Sequence, residues 1–494
     1  MQAMNSATDI DSSNFGKLFI GGDWVNPSTN RMIEVVSPTT ENVVFRVAEA
    51  AEADVDRAVA AAREAFDQGP WPRLTPAQRA NYLSELAQLL RTRKDDLARA
   101  WTEQVGVIFS FAQVSPEYSL GVLDACVGLA SSFDFIEKRP GAFGAAGFLV
   151  REPVGVVATI APWNAPLVAM LNKISPALLA GCSVVMKPAP QTPVDAYIIA
   201  ECAAAAGFPP GVINLIAAET EASDYLVRQP GVDKVSFTGS LATGKRIASV
   251  CGDRIARVTL ELGGKSAGII LDDYDLAEAA GSLASGLCML SGQNCAALTR
   301  VIVSRQRHDE LVELLVEQLK EVRIGDPYDP ETQVGPLAMK RQRERVEAYI
   351  AKGQAEGAQL ALGGSRPSGL DRGYFIEPTV FANVDNAMAI AQEEIFGPVI
   401  CVIPCEDEAD AIRIANDSPF GLAGAVYTTD TDRAYRVARQ LRTGTVGQNG
   451  PLADFSIAFG GFKQSGLGRE GGVEGLMPYL ETKTLLLAQE PAEL

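Results

Sequence analysis

The sequence predicts an α/β protein built on doubly wound, largely parallel β-sheets. From residue 154 onward, short Val- and Ile-rich runs alternate with helical patterns, as in sheets covered by helices on both faces. The chain has 494 residues, more than one hydrophobic core usually holds, so two or three domains are expected. Hydrophobic residues make up 47% of the chain and charged residues 21%, which is typical of a globular protein. A ligand site is expected beyond the carboxyl ends of the strands.

The first hundred residues predict a hairpin followed by helices. In "KLFIGGDWV", two short apolar runs flank a Gly-Gly pair, which indicates a tight hairpin turn. "EADVDRAVAAAREAF" has the apolar period of a helix. One long helix is predicted for residues 75–101, with Thr75 as N-cap, Pro76 in the first turn and Gln78 completing a capping box.

Two alternating blocks follow. The first, from residue 154, has the strand-like runs "VGVVATI", "SVVMK", "VINLI" and "KVSFTGS", separated by helix-like segments. The second covers residues 261–445 and contains "RVIVS", the helix-like "RHDELVELLVEQLKEV" and "PVICVIP". Two further strand-like segments, "AAGFLVREP" (145–153) and "TKTLLLAQE", lie outside both blocks.

Charge and composition exclude several classes of protein. The net charge of −18 and pI near 4.7 argue against nucleic-acid binding, which needs a basic surface. Eight scattered cysteines without a CxxC pair favour reduced thiols, and hence a cytoplasmic protein. The start, "MQAMNSATDIDSSN", has neither the basic nor the apolar part of a signal peptide. The apolar stretch 153–171 contains three prolines, so no membrane span is expected.

The stretch "LCMLSGQNCAALTR" contains Cys295, a candidate nucleophile. A free cysteine taken alone is more often a buried apolar residue than a catalyst. The chain has one histidine, His308, so a Cys–His hydrolase would depend on that residue. His308 stands at the start of a predicted amphipathic helix and is expected on the solvated surface. If Cys295 reacts, its base is therefore expected to be a carboxylate.

Two motifs resemble nucleotide-binding loops but fail their structural tests. "GSLATGKR" (239–246) ends in Arg246, whereas a P-loop needs a hydroxyl there to hold Mg²⁺. Its strand end and helix start still favour phosphate binding at Gly239 and Ser240. "GLGREG" (466–471) matches GxGxxG without a preceding strand, so a turn-rich loop is predicted.

Three polar features occupy positions suited to chemistry. Asn164 stands between two prolines after an apolar strand, where its amide could donate to an oxyanion or cap a turn. Glu261 ends an apolar strand before a Gly pair, where it could act as a general base or accept backbone N–H groups. Glu394 and Phe396 precede a Gly-Pro turn in "QEEIFGPVI".

Seven segments together resemble the signature segments of the NAD(P)-dependent aldehyde dehydrogenase superfamily, in the same order: "PWNAP", "KPAPQTP", "FTGSLATG", "LELGGKS", "SGQNCAALTR", "EEIFGPV" and "AFGGFKQSGLGRE". The similarity spans nearly the whole chain. It implies a Rossmann-type parallel-sheet cofactor domain (1–135 and 154–260) and a second α/β catalytic domain (261–445, with a return segment 446–475). A small β oligomerisation arm (136–153 and 476–494) would give a homodimer or homotetramer.

The resemblance also implies a mechanism and a set of site residues. Cys295 would attack an aldehyde as a thiolate, while Asn164 and the Cys295 N–H hold the oxyanion. Hydride would pass to the nicotinamide, and Glu261 would activate the water that hydrolyses the thioester. NAD⁺, or NADP⁺, would contact Lys187, Gly239, Ser240, Glu394, Phe396 and Trp163. No metal site is predicted.

The sequence departs from the family pattern at two places. Pro190 stands where many NAD-preferring relatives carry a ribose-binding Glu, so we expect NADP⁺ to be tolerated better than in those relatives. The expected substrate tunnel has small or polar walls, which favours a medium-to-large apolar aldehyde unless neighbouring side chains refill the space. Its residues are Ala165, Ala169, Asn172, Leu290 and Phe455.

Two other functions stay open from the sequence. A related class of enzyme releases the thioester to coenzyme A, which Glu261 argues against because a retained base favours hydrolysis. An inactive binding or structural protein on the same scaffold is disfavoured because every proposed catalytic role is filled.

Overall fold

The computed structural model describes residues 10–139, 141, 146–451 and 454–492. Residues 1–9, on which part of the signal-peptide prediction depends, lie outside this range, as does Ala145 at the start of "AAGFLVREP".

Strands and helices are numbered along the chain. The strands are Leu18–Ile20 (β1), Asp23–Val25 (β2), Met32–Val36 (β3), Val43–Ala48 (β4), Ile136–Lys138 (β5), Ala146–Pro153 (β6), Val156–Ile160 (β7), Ser183–Lys187 (β8), Ile213–Leu215 (β9), Lys234–Thr238 (β10), Arg257–Glu261 (β11), Ser266–Ile270 (β12), Leu298–Ser304 (β13), Gln359–Leu362 (β14), Thr379–Ala382 (β15), Val399–Cys405 (β16), Ala423–Tyr427 (β17), Thr445–Gln448 (β18), Gly466–Leu467 (β19) and Leu480–Leu487 (β20). The α-helices are Glu52–Asp67 (α1), Pro76–Thr92 (α2), Lys94–Val105 (α3), Phe109–Ser132 (α4), Pro166–Ala180 (α5), Val194–Ala205 (α6), Thr220–Arg228 (α7), Leu241–Asp253 (α8), Leu276–Cys288 (α9), His308–Lys320 (α10), Lys340–Ala355 (α11), Ala389–Gln392 (α12), Glu408–Asn416 (α13), Thr431–Ala438 (α14) and Gly472–Leu476 (α15).

The first sheet has the strand order β19-β11-β10-β7-β8-β9-β1-β2 within the described residues. Its five central strands are parallel, and β1 and β2 form the predicted Gly-Gly hairpin at one edge. Ile160 pairs with Lys187, and Thr238 pairs with Glu261. Four strands therefore end at the same edge of the sheet, where ligands bind in open α/β folds.

The second sheet has the order β14-β15-β16-β13-β12-β17-β18. Its strands are parallel except for β14, which pairs antiparallel with β15. The predicted α/β class with parallel sheets is thus confirmed. The residue boundaries proposed for the domains stay a prediction.

A smaller antiparallel sheet joins β20, β6 and β5 in that order. It pairs the two strand-like segments that lay outside both alternating blocks, with Leu480 opposite Pro153 and Leu487 opposite Ala146. Leu486 is exposed on this sheet. Among the described residues, no helix is long and apolar enough to cross a membrane.

Two predicted elements differ from the structure. The helix predicted for 75–101 is two helices, α2 and α3, which meet at Arg93. Arg91 lies in the last turn of α2, and Asp95 and Asp96 lie in the first turn of α3, so each charge complements the end of a separate helix. The predicted capping box does form, with Thr75 N–H donating to Gln78 Oε1 at 2.8 Å.

The segment "GLGREG" is not entirely a loop. Gly466–Leu467 forms β19, which pairs antiparallel with the end of β11 and brings Gly466 opposite Glu261. Glu470 N–H then donates to the carbonyl of Phe459 at 2.8 Å. The extended form comes from pairing with a distant strand, which local composition does not reveal.

Candidate active site

Cys295 follows a backbone segment of unusual conformation. Leu290 and Ser291 have φ angles of 51° and 52°, in the left-handed region that residues with side chains rarely adopt. Gly292 continues the segment with a φ of 73°. A Cβ there would lie 2.3 Å from the carbonyl carbon of Gly397, so only glycine allows this close approach. We call residues 289–295 the nucleophile loop.

Hydrogen bonds hold the nucleophile loop in this conformation. Ser291 Oγ donates to the carbonyl of Gly335 at 2.8 Å. Gln293 Oε1 accepts from Ala338 N–H at 2.9 Å, and Gln293 Nε2 donates back to the loop at the carbonyl of Leu290, 3.0 Å away. The strained backbone is therefore supported from outside the loop, as at many functional sites.

Cys295 is half-buried and rests as a thiol. Burial raises its pKa to about 12, and the negative charges of Glu394 and Glu261 add to the effect. The backbone N–H groups of Cys295 and Ala296 act in the opposite direction because they favour the thiolate. Two carboxylates thus disfavour the Cys295 thiolate, and two backbone N–H groups favour it.

Asn164 is tied to the nucleophile loop. Its side-chain amide Nδ2 donates to the carbonyl of Gln293 at 2.9 Å. The backbone carbonyl of Asn164 accepts a hydrogen bond from Trp101 Nε1 at 2.8 Å, which fixes the turn between β7 and α5. A carboxamide has two N–H donors, so one holds Asn164 against the loop and the other remains for a ligand.

Glu261 ends β11 as a buried carboxylate that is 2% exposed. Neither of its oxygens accepts a hydrogen bond from the described residues. Burial and the negative charge of Glu470 raise its pKa well above the usual range, while Lys173 and Arg469 oppose the shift. A Cβ on Gly460 would lie 2.6 Å from Glu261 Oε1, so the missing side chain leaves room for the carboxylate.

A buried ion pair beside Glu261 was not anticipated from the sequence. Lys173 Nζ contacts Glu470 Oε1, and both side chains are almost fully buried. Lys173 Nζ also donates to Thr238 Oγ1 at 2.5 Å, and Thr238 pairs with Glu261 across the sheet. The sequence does contain one indication of this pair, a lysine within the apolar run of α5. A buried lysine needs a partner of opposite charge.

Glu394, Trp163 and Phe396 lie on the Cys295 side of the site. Gly264 N–H donates to Glu394 Oε1 at 3.0 Å. A Cβ on Gly264 would lie 2.4 Å from the carbonyl oxygen of Cys295, so the same glycine contacts both residues. The rings of Trp163 and Phe396 meet edge to face with centroids 5.3 Å apart. Phe396 has a φ of 63°, which makes this turn a second strained element.

A cavity of about 590 Å³ opens at the carboxyl ends of β7, β8 and β10. Its lining includes Lys187, Pro190, Glu219, Phe237 and Thr243. Burial lowers the pKa of Lys187 to about 8, and the charge of Glu219 opposes that shift. Lys187, with a largely buried stem, thus lines this cavity from the end of β8, together with Arg228 and Arg246.

The N-terminus of α8 lies at the same cavity. Ser240 is the N-cap, and its Oγ accepts from the N–H of Thr243, a cavity residue, at 3.3 Å. Gly239 N–H donates to the carbonyl of Glu261 at 3.0 Å and so links two strands rather than facing a ligand. The first-turn amides of α8 and its dipole favour an anion here.

A family model described as the aldehyde dehydrogenase family matches residues 24–485. The chain belongs to the aldehyde dehydrogenase family. It is 43% identical to a geranial dehydrogenase from Castellaniella defragrans over 95% of this chain and 98% of that one. It is 46% identical to a Mycobacterium tuberculosis aldehyde dehydrogenase solved with NAD⁺, with a TM-score of 0.94 over 96% of this chain and 98% of that one. A mutant of aldehyde dehydrogenase C from Pseudomonas syringae, solved with NAD⁺ and octanal, is 39% identical with a TM-score of 0.94, covering 98% and 99% of the chains.

This aldehyde dehydrogenase is accordingly an NAD(P)-dependent oxidoreductase, and its cavity fits a dinucleotide. The cavity offers a helix N-terminus for a phosphate and the buried cation of Lys187 for a hydroxyl or phosphate group. Those features stand at the carboxyl edge of a parallel sheet, the usual position for such a cofactor.

The predicted tunnel residues of the aldehyde dehydrogenase do not share one cavity. Ala165 borders a space of about 20 Å³ with Trp101. Leu290 borders a separate space of about 730 Å³ with Phe111. Phe455 contacts the ring of Phe459, with centroids 4.6 Å apart.

Ala169 and Asn172 belong to α5, one turn apart on the helix face that continues from Ala165. Both are buried. Asn172 Oδ1 has no hydrogen-bond partner in the part of the chain that the structure describes, so this face of α5 carries a buried oxygen that can accept a hydrogen bond.

The surface position expected for His308 is wrong. His308 is 2% exposed, and its Nε2 accepts from Asn383 N–H at 3.1 Å. Its Nδ1 lies 2.8 Å from Asp309 Oδ1. Both ring nitrogens are therefore engaged in fixing the start of α10, and an imidazole with occupied nitrogens is a structural residue rather than a base for Cys295.

Proposed function

We propose that this aldehyde dehydrogenase oxidises a medium-to-large apolar aldehyde to its carboxylic acid through a covalent Cys295 thioester, which water activated by Glu261 then hydrolyses. One observation carries the proposal. Asn164 donates to the nucleophile loop that carries Cys295 and keeps a second N–H, and the negative charge of Glu261, whose oxygens have no hydrogen-bond partner among the described residues, acts on the Cys295 thiol. Nucleophile, oxyanion donor and base are the three roles that acyl transfer needs.

Formation of the covalent intermediate depends on Asn164 and Cys295. The Cys295 thiol loses its proton to water, and the resulting thiolate attacks the carbonyl carbon, so that the carbonyl oxygen becomes an alkoxide in the thiohemiacetal. The second N–H of Asn164 and the backbone N–H of Cys295 would donate to that alkoxide. Donors that are already fixed in place stabilise the developing charge without reorganisation.

NAD(P)⁺ supplies the hydride acceptor when it is bound. Lys187 and the first turn of α8, capped by Ser240, would hold its adenosine and phosphate part. Glu394 would accept from the second ribose, and Trp163 and Phe396 would border the nicotinamide.

Release of the acid depends on Glu261. The carboxylate form takes a proton from water, and the resulting hydroxide attacks the thioester and expels the Cys295 thiolate. Its raised pKa makes Glu261 a stronger base than an ordinary carboxylate. Neither oxygen accepts a hydrogen bond from a residue in the described ranges, so both can accept one from a water molecule.

Glu470→Gln is expected to shift the acid limb of the kcat profile to lower pH. The charge of Glu470 raises the pKa of Glu261, and activity is lost as the pH falls through that pKa because only the carboxylate form is a base. Without this charge, the positive charges of Lys173 and Arg469 are no longer opposed by Glu470, and the pKa of Glu261 falls. The pH dependence of kcat checks this, with exposed Glu474→Gln as the control. An acid limb that stays in place or moves to higher pH would contradict the assigned role.

The preference for an apolar aldehyde follows from the small side chains Ala165 and Ala169. Relatives are named for geranial and crystallised with octanal, both of which are larger than acetaldehyde. We expect kcat/KM to rise at least about tenfold from acetaldehyde to octanal or a terpenoid aldehyde, since each buried CH₂ contributes about 0.8 kcal/mol. A series of linear, terpenoid and aromatic aldehydes measures this, and values that stay flat or fall with size would refute it.

The domain division, the cytoplasmic location and the homodimer or homotetramer remain proposals. The oligomer is supported by the β20–β6–β5 sheet, which carries exposed Leu485, Leu486 and Leu487 along one strand. Consecutive exposed leucines on a strand favour burial against another subunit. The molar mass from light scattering checks this assignment.

A further inference from the structure

A carboxylate lines the same cavity as Lys187. Glu219 immediately precedes α7 and lines the cavity together with Lys187 and Pro190. Burial lowers the pKa of the Lys187 ammonium group, and the negative charge of Glu219 opposes this shift. Pro190 also lines the cavity and offers neither a charge nor a hydrogen-bond donor.

The Glu219 carboxylate is available to a ligand. Glu219 occupies the N-cap position of α7, yet its side chain makes no capping hydrogen bond. Over the ranges that the structure describes, no hydrogen bond or salt bridge engages this carboxylate, and the side chain is exposed. An acceptor of this kind suits a hydroxyl group of a sugar.

The arginines of this cavity are already neutralised. Arg246 donates to both carboxylate oxygens of Asp224, with Nε to Oδ1 at 2.9 Å and Nη2 to Oδ2 at 3.1 Å. Arg228 Nε lies 3.0 Å from Asp224 Oδ2. A phosphate in the cavity would therefore compete with Asp224 for both guanidinium groups. The remaining cation of the lining is Lys187, and the carboxylate of Glu219 lines the same cavity.

We propose that Glu219 makes this enzyme select NAD⁺ over NADP⁺, by accepting a hydrogen bond from the adenosine ribose and repelling a 2′-phosphate. The inference rests on the proposed placement of the adenosine part beside Lys187. A phosphate monoester carries close to two negative charges at neutral pH, and a nearby carboxylate disfavours it. Glu219 thus opposes the tolerance of NADP⁺ expected from Pro190 alone.

The test compares dissociation constants of NAD⁺ and NADP⁺ for the wild-type protein and Glu219→Gln, by calorimetry without aldehyde. Glutamine keeps the size of the side chain and removes the charge. We expect the wild type to bind NAD⁺ more tightly. In the variant, the ratio of the two constants should move toward NADP⁺ by about tenfold or more, equivalent to about 1.4 kcal/mol. The shift should shrink at high salt, because the cavity is open to screening ions.

Glu221→Gln is the matched control. It removes the same charge two residues further along, from another exposed position that lines the cavity. We expect it to change the ratio by less than about threefold, since charge effects in solvent fall off with distance. An equal effect of the two variants would overturn the specific role of Glu219, as would tighter binding of NADP⁺ by the wild type or an unchanged ratio in Glu219→Gln.

The measurement separates this inference from the proposed function. Because no aldehyde is present, the result does not depend on Cys295 or on the substrate. A wild type that binds neither dinucleotide would contradict the proposed cofactor site itself. Binding of both dinucleotides with a ratio insensitive to Glu219 would contradict only the inference. Matching thermal unfolding curves for both variants would confirm that the fold is retained.

Discussion

Cys295→Ala is expected to abolish NAD(P)⁺-dependent aldehyde oxidation, lowering kcat by about 10⁴-fold or more, as when a covalent nucleophile is removed. Alanine cannot form the thiohemiacetal, and the nucleophile loop contains no other cysteine. The substitution removes only one sulfur atom from a half-buried position, so the fold should persist. The rate of cofactor reduction with a good aldehyde measures the loss, and unchanged binding of NAD⁺ would show that the site is intact.

Cys288→Ala provides the matched control for this experiment. Cys288 ends α9, is also half-buried, and has a pKa raised to about 11 by burial. We expect this variant to keep most of the wild-type activity. If both variants lose activity equally, or if Cys295→Ala remains as active as Cys288→Ala, the nucleophile has been misassigned.

Glu261→Gln is expected to separate the two halves of the reaction. Reduction of one equivalent of cofactor should still occur, because attack by Cys295 and hydride loss precede hydrolysis. Steady-state kcat should then fall by about 10²- to 10⁴-fold, the usual contribution of a general base. A burst of reduced cofactor followed by slow turnover measures this, and mass spectrometry should detect the acylated enzyme.

Glu278→Gln removes an exposed carboxylate from α9 and serves as the control. It should leave both the burst and the steady-state rate unchanged. Loss of the burst itself in Glu261→Gln would assign Glu261 to activation of the thiol. Wild-type turnover by Glu261→Gln would leave hydrolysis without its proposed base, and a coenzyme A acceptor would then need to be tested.

Local sequence patterns predicted most of the regular structure. The Gly-Gly hairpin, the capping box at Thr75 and the strands that end at Lys187 and Glu261 all depend on nearby residues. Residues that end neighbouring parallel strands must meet at one edge, so the approximate site followed from the same patterns. The break at Arg93 was missed because the apolar period continues through it.

Long-range contacts account for the remaining differences. His308 is buried because Asn383 supplies a backbone donor from 75 residues further along the chain. The ion pair of Lys173 and Glu470 joins residues separated by 297 positions, and the sequence around either residue does not indicate that the two meet. Such pairings depend on the completed fold, so a single sequence contains little local evidence for them.

Helix α5 links the residues proposed for the two half-reactions. It begins two residues after Asn164 and carries Lys173 in its third turn, about 10 Å further along the axis. In the proposed mechanism, one rigid segment would thus determine where the alkoxide is held and where the positive charge beside the base lies. Inserting one residue would rotate Lys173 by about 100° away from Glu470. We therefore expect side-chain exchanges at Ala165 and Ala169 to alter the substrate range, and a change in the length of this helix to uncouple attack from hydrolysis.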